Sequence, residues 1–166
     1  MTHPPHFRCY RNGTETFQLT YIQDLVPEFP GRAVFEAEAK NCETGEVTTV
    51  AVKFTNKYGR RGHELLAQNS LAPALRFCER VDDVGMFVVV TDFAEGESDD
   101  IRLSDERQVE LLRQGINILH AEGLVWGDLR WPNVLVDEVT GNITLIDLDW
   151  CGLPERPATL LTSIST

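Results

Sequence analysis

The sequence predicts an α+β chain built on antiparallel hairpins, and three observations carry that prediction. Ala33 to Lys40 alternates apolar and polar residues, Asn41 to Glu46 reads as a turn, and Val47 to Phe54 is a second strand-like run. Val134-Leu135-Val136 and Ile143-Thr144-Leu145-Ile146 form another such pair around the insert 137–142, with Thr140-Gly141-Asn142 as its turn. Between the pairs lies one long helical pattern, with Val109, Leu112, Ile116 and Leu119 at three-four spacing. Strands gathered first and a helix later is the α+β order.

Taken in order, residues 1–14 are rich in Pro, His and Gly and are expected to be flexible. Phe17 to Leu25 reads as a strand, and the loop Val26 to Arg32 follows it. That loop holds Pro27, Pro30 and a single glycine, Gly31. Its backbone is poor in the N–H groups that approach an anion. Arg32 is expected to be solvated, with a charge offered to an anion as the alternative. Lys53 lies inside the Val-rich second strand of the first hairpin, where burial is costly unless it is paired. The other reading puts it on an edge strand, facing water. Arg61 to Gln68 is a short helix that Pro73 prevents from continuing. Phe77 to Val84 and Met86 to Phe93 read as strands. The second is continuously apolar and is expected to be buried on both faces. Residues 94–98 are loose and polar. Ser104 is the expected N-cap of the long helix, with Asp105 and Glu106 in its first turn and Gly123 beyond its end. His120, at the edge of the apolar stripe, is expected to be a satisfied structural histidine.

Composition bounds the function. A chain of 166 residues makes one domain, or two small lobes sharing a core. Its net charge of −11 argues against nonspecific binding to nucleic acid or to an anionic membrane. The same charge requires any bound triphosphate to be met by local cations and a metal. Cys9, Cys42, Cys78 and Cys151 lack metal-type spacing and read as free thiols. The longest apolar run, Met86 to Val90, is far short of a membrane span, and the N-terminus lacks a secretory apolar region. A cytoplasmic or nuclear location is therefore expected, not secretion.

The chemistry is concentrated between Val125 and Trp150. Asp128 and Asn133 precede the first strand of the second hairpin, and Asp147 follows its second strand. A hairpin brings its open ends together, so Asn133 and Asp147 should lie side by side, with Asp128 nearby. One amide and two carboxylates suit a hard cation such as Mg²⁺ and leave a carboxylate for a proton. The plainer reading is that the same residues cap turns.

These residues resemble the catalytic core of the protein-kinase superfamily, over roughly residues 30 to 152. Asp128-x4-Asn133 has the spacing of that family's catalytic loop, Asp147 stands at its metal-binding aspartate, and Val50-Ala51-Val52-Lys53 matches its lysine strand. Trp126-Gly127 stands in place of His-Arg, and Leu148-Asp149 in place of Phe-Gly. Gly127-Asp128 and Ile146-Asp147-x-Asp149-Trp150 also look like small-molecule kinases of the aminoglycoside and choline kinase type. The overall pattern, ending in Asp147-Leu148-Asp149-Trp150-Cys151-Gly152, is closest to divergent kinase-like proteins of basidiomycete fungi.

The resemblance implies an antiparallel N-lobe over 15–93 with one short helix. An abbreviated C-lobe over 94–153 would carry one long helix and the catalytic hairpin, with an irregular tail at 154–166. It implies ATP and Mg²⁺ as ligands. Lys53 would orient the α and β phosphates, held by Glu64, with His63 as the other candidate to face the site. Ala51 and Leu135 would sandwich adenine, and the backbone of Asp92 and Ala94 would bind its edge, with Thr91 behind. Asn133 and Asp147 would hold metal, and Asp149 would face either metal or solvent. Asp128 would be the catalytic base and Arg130 would neutralise the γ-phosphate. The acceptor would be a protein Ser/Thr hydroxyl, or that of a small molecule. A whole kinase domain takes about 250 residues, so a chain of this length is expected to lack the helical subdomain that follows the hairpin. That leaves two alternatives, a nucleotide-binding pseudokinase and an interaction domain with solvated acids. It also predicts self-association through exposed lower-lobe surface.

Overall fold

The computed structural model describes residues 6–29, 32–96, 105–137 and 139–154. Pro30, Gly31, the expected cap Ser104 and the tail from residue 155 lie outside the described residues. The strands are β1 (Cys9–Asn12), β2 (Glu15–Asp24), β3 (Ala33–Asn41), β4 (Val47–Thr55), β5 (Leu75–Val81) and β6 (Met86–Asp92). They form one sheet in the order β1-β2-β3-β4-β6-β5, antiparallel throughout. The expected flexible N-terminus thus contains an edge strand. Tyr10, 4% exposed, stacks on Phe17 with ring centroids 5.1 Å apart, and this contact adds to the β1–β2 ladder.

The period-two pattern of β4 sorts its side chains. Val50, Val52 and Phe54 are buried in one core, while Ala51, Lys53 and Thr55 share the other face. β4 lies between β3 and β6, so Lys53 is on an interior strand and not on an edge. Val88, Val89 and Val90 of β6 are all at most 1% exposed, as expected of a strand covered on both faces.

Below the sheet lie α1 (Arg60–Gln68), α2 (Glu106–Ala121), β7 (Val125–Trp126), the β8–β9 hairpin (Val134–Val136 with Ile143–Leu145) and β10 (Cys151–Gly152). The apolar residues form two clusters. One fills the face of the sheet that carries Phe35, Val52 and Val90. The other joins Leu66 of α1 to Leu119 of α2, to Val134 and Leu145 of the hairpin, and to Leu148. Helix α1 was expected to belong to the upper lobe, yet its apolar face is packed into the lower cluster. Glycine makes this approach possible. A Cβ on Gly59 would lie 2.6 Å from Cys151 Cβ and 2.7 Å from the Leu148 carbonyl oxygen. A Cβ on Gly115 of α2 would lie 2.9 Å from Leu145 Cδ1.

The expected stripe of α2 holds in part, since Leu119 lies in the lower cluster and Leu112 packs against it. Gln108, Gly115 and Leu119 are its buried residues, while Val109 is 38% exposed. Asp105 caps the helix by accepting a hydrogen bond from Arg107 N, one residue after the expected cap. His120 is exposed on the last turn and is not a core histidine.

Candidate functional site

A cavity of about 500 Å³ separates the two clusters. Ala51 and Lys53 of β4 and the loop residues Val26, Phe29 and Arg32 line it from above. Asn133, Leu135 and Asp147 line it from below, and Asp92, Phe93 and Ala94 line it along the connection between the two halves. The cavity therefore gathers Ala51, Lys53, Asp92, Ala94, Arg130, Asn133, Leu135 and Asp147. Ala51 and Leu135 stand on opposite walls. Asp128 and Glu64 are not among the lining residues.

Local backbone geometry sets the acids. Asn133 ends a single 3-10 turn, Trp131–Asn133, in which Pro132 provides a compatible φ. Its Nδ2 donates to the Asp128 carbonyl at 2.8 Å and to Asp128 Oδ2 at 3.3 Å. Arg130 Nη2 lies 3.1 Å from the same Oδ2. Asp128 thus stands behind the cavity wall, joined to it through two residues that line it. The Asn133 carbonyl accepts from Ile146 N at 2.9 Å, which brings the two ends of the hairpin together as its topology predicts. Asp147 follows in the left-handed region, at φ 60° and ψ 59°. A non-glycine residue there is strained, and Asp is one of the few types that tolerates it. That turn ends β9 and starts a second 3-10 turn, Leu148–Trp150.

Charges converge on Asp147. Lys53 Nζ lies 2.5 Å from Asp147 Oδ1 and 2.7 Å from Asp149 Oδ1. Arg32 Nη1 lies 3.8 Å from Asp147 Oδ2 and its guanidinium covers the Phe29 ring, so Arg32 lines the mouth of the cavity while its side chain stays 48% exposed. Asp149 faces neither solvent nor the cavity: its side chain is 16% exposed and tucked behind Lys53. Burial pushes the Asp149 carboxyl above the usual range. Lys53 works against that shift, Asp147 adds to it, and Thr55 opposes it. The single hydroxyl proton of Thr55 has two acceptors within reach, Asp149 Oδ2 at 2.9 Å and the Lys57 carbonyl at 3.0 Å. The carboxylate is the stronger acceptor.

Glu64 corrects the sequence reading. It pairs with Arg60 one turn back, at 2.8 Å, with its side chain 43% exposed. The docking of Gly62 and Leu66 against the lower cluster fixes the rotation of α1, and that rotation turns position 63 inward and position 64 outward. His63, 1% exposed, lines the cavity but binds no lysine. Its Nε2 is 2.7 Å from the Pro73 carbonyl, which only accepts, so Nε2 carries the proton. Nδ1 is then the acceptor for the Tyr58 hydroxyl at 2.5 Å. Burial lowers the His63 pKa below the ordinary value of about 6.5, and the Pro73 bond and Glu64 only partly offset this. The unfolded chain therefore takes up a proton that the folded chain refuses. Stability should fall as pH drops below about 6.5. Urea unfolding from pH 7 to pH 5 is expected to show a shallower loss in His63→Gln than in the native protein.

The residues implied for Mg²⁺ offer oxygen only. Asp147 supplies a carboxylate, and Asn133, whose Nδ2 is engaged by Asp128, has its amide oxygen left to offer. Among the described residues no group of three or more His, Cys, Asp or Glu side chains is gathered for a metal. This donor set fits Mg²⁺, which is commonly held by one or two carboxylates while phosphates and water complete its shell. One site residue that sequence reasoning missed had a local signal: Thr55 is two residues from Lys53 and therefore on the same face of β4.

No protein-family profile matches the chain, and no curated protein matches it in sequence. Its fold does match solved structures. One is the kinase PK-1 of Cydia pomonella granulovirus, at a TM-score of 0.67 and 16% identity, over 86% of this chain and 55% of that one. The chain thus spans about half the length of that kinase. With a six-stranded antiparallel sheet above, helix and hairpin below and a cavity between, the chain has a kinase-like fold.

Proposed function

We propose that this chain is a protein-kinase-like phosphotransferase that uses ATP and Mg²⁺ to place the γ-phosphate on a hydroxyl. The observation that carries the reading is the gathering of Lys53, Arg130, Asn133 and Asp147 in one cavity whose opposite walls, Ala51 and Leu135, are apolar. Ala51 and Leu135 take the two faces of adenine, and the Asp92 carbonyl and the Ala94 N–H take its edge. Lys53 and Arg32 receive the phosphates. Arg32, Lys53 and Arg130 provide the local positive charge that a chain of net charge −11 otherwise lacks. Asn133 and Asp147 hold Mg²⁺, which when bound neutralises charge on the phosphate oxygens. Asp128 accepts the proton of the acceptor hydroxyl, and Arg130 keeps its carboxylate oriented. A protein Ser/Thr hydroxyl is the first acceptor to test and a small-molecule hydroxyl the second. The Gly127-Asp128 and Asp147-Leu148-Asp149-Trp150 sequences support kinship with divergent fungal kinase-like proteins.

One observation favours a second reading, a nucleotide-binding module without catalysis. Asp128 Oδ2 is already engaged by Arg130 and Asn133. Turnover of γ-phosphate in native protein and in Asp128→Ala separates the two. The transferase reading expects the variant to be slower by about 10²- to 10⁴-fold, with nucleotide binding retained. Equal background rates in both would leave the binding module.

A further inference from the structure

Lys53 lies on an interior strand and is held by two carboxylates that differ in what else they face. Asp147 lines the cavity, and Asp149 does not. Asp149 sits on the 3-10 turn Leu148–Trp150, which is pinned at both ends. Leu148 is fully buried and its carbonyl accepts from Gly59 N at 3.0 Å, at the start of α1. On the other side Lys57 Nζ covers the Trp150 ring, 2.8 Å from its centroid. Asp149 Oδ2 is oriented by Thr55, on the same face of β4 as Lys53. A carboxylate fixed in this way can hold an ammonium without competing for whatever enters the cavity. The helix carboxylate Glu64 is spent on Arg60 at the surface.

We propose that Asp149 is the positioning residue for Lys53. It is the tether that keeps the ammonium in place when Asp147 is neutralised by a cation, in the role that Glu64 does not fill. The site so defined is a two-carboxylate relay. Asp147 faces the ligand, Asp149 faces the lysine, and Lys53 stays aimed at the cavity in both the empty and the loaded protein. The consequence for nucleotide phosphate rests on the function proposed above, whereas the tether itself can be tested without a nucleotide.

The chain has only three lysines, Lys40, Lys53 and Lys57, so the side-chain ammonium signals of ¹⁵N-lysine-labelled protein can be assigned by Lys53→Arg and Lys57→Arg. The variant Asp147→Asn imitates neutralisation of Asp147. In that variant Lys53 is expected to keep a slowly exchanging ammonium, distinct from exposed Lys40. Asp149 Oδ1 holds the ammonium as a close ion pair at 2.7 Å, and adding Asp149→Asn is expected to speed its exchange at least about tenfold, the scale on which truncating one partner of a buried ion pair is felt. Asp147→Asn with Thr55→Val, which keeps the Asp149 carboxylate and removes only the hydroxyl that orients it, is expected to give a smaller increase and serves if the double asparagine variant does not fold. Glu64→Gln is expected to change nothing. Loss of the slow signal in Asp147→Asn alone, or in Glu64→Gln, would overturn the proposal. Titration of the native protein with ADP is a separate arm: failure to bind would sink the nucleotide reading and would leave the exchange result to judge the tether.

Discussion

Replacing Asp147 by alanine is expected to abolish stabilisation by Mg·ATP and to slow γ-phosphate transfer by about 10²- to 10³-fold, the usual cost of removing one preorganised electrostatic group. The effect follows from position. Asp147 lines the cavity, stands beside the Asn133 end of the hairpin and is the point on which Lys53 and Arg32 both converge. Native protein at 100 times its Kd for the ligand should gain about 2.7 kcal/mol of stability, and the variant none. The left-handed backbone at this residue separates loss of binding from loss of folding. Alanine keeps the strain and glycine relieves it, so without ligand Asp147→Gly should be about 1 kcal/mol more stable than Asp147→Ala. Both variants should nonetheless fail to respond to Mg·ATP. Differential scanning fluorimetry of the three proteins, with and without ligand, reads both effects. A full response in either variant would remove Asp147 from the site.

The largest effect on stability is expected from Leu66→Ala, at about 3 kcal/mol. Leu66 is fully buried on α1 and packs with Leu71, Leu119, Leu145 and Leu148. Gly115 of α2 faces it closely, since a Cβ there would lie 3.4 Å from Leu66 Cδ2. Neighbours held by such close backbone approach have little freedom to collapse into the space left by the leucine. Leu65→Ala, one position along and only partly buried, should cost less than about 1 kcal/mol. Urea unfolding of the two variants makes the comparison. Equal losses would mean that α1 is an upper-lobe helix resting on the sheet and is not a member of the lower core.

Much of the fold was legible because its periods are strong. The β3–β4 hairpin, the continuously apolar β6 and the β8–β9 hairpin lie within a residue or two of where alternation and turn residues put them. So does the juxtaposition of Asn133 with the neighbour of Asp147, since hairpin topology alone requires it. Apart from Thr55, the features that were missed depend on tertiary contacts with little local trace. β1 is four residues long, and it is held by its ladder to β2 and by the stacking of Tyr10 on Phe17. The rotation of α1 is decided by Gly59 and Gly62 against a cysteine more than eighty residues away, and so Glu64 points away from Lys53 and pairs with Arg60. Arg32 is solvated as expected, and its 3.8 Å approach to Asp147 has no trace in the sequence because it joins residues more than a hundred positions apart.

The central claim is that the cavity between the two clusters is a nucleotide–Mg²⁺ site. Calorimetric titration of the native protein with ADP, in the presence of Mg²⁺ and in its absence, tests it most directly. The account predicts one saturable site whose affinity rises with Mg²⁺ and which Lys53→Met weakens. Cooperatively folding protein that takes up no ADP under either condition, or takes it up equally well with Lys53 replaced, would contradict it.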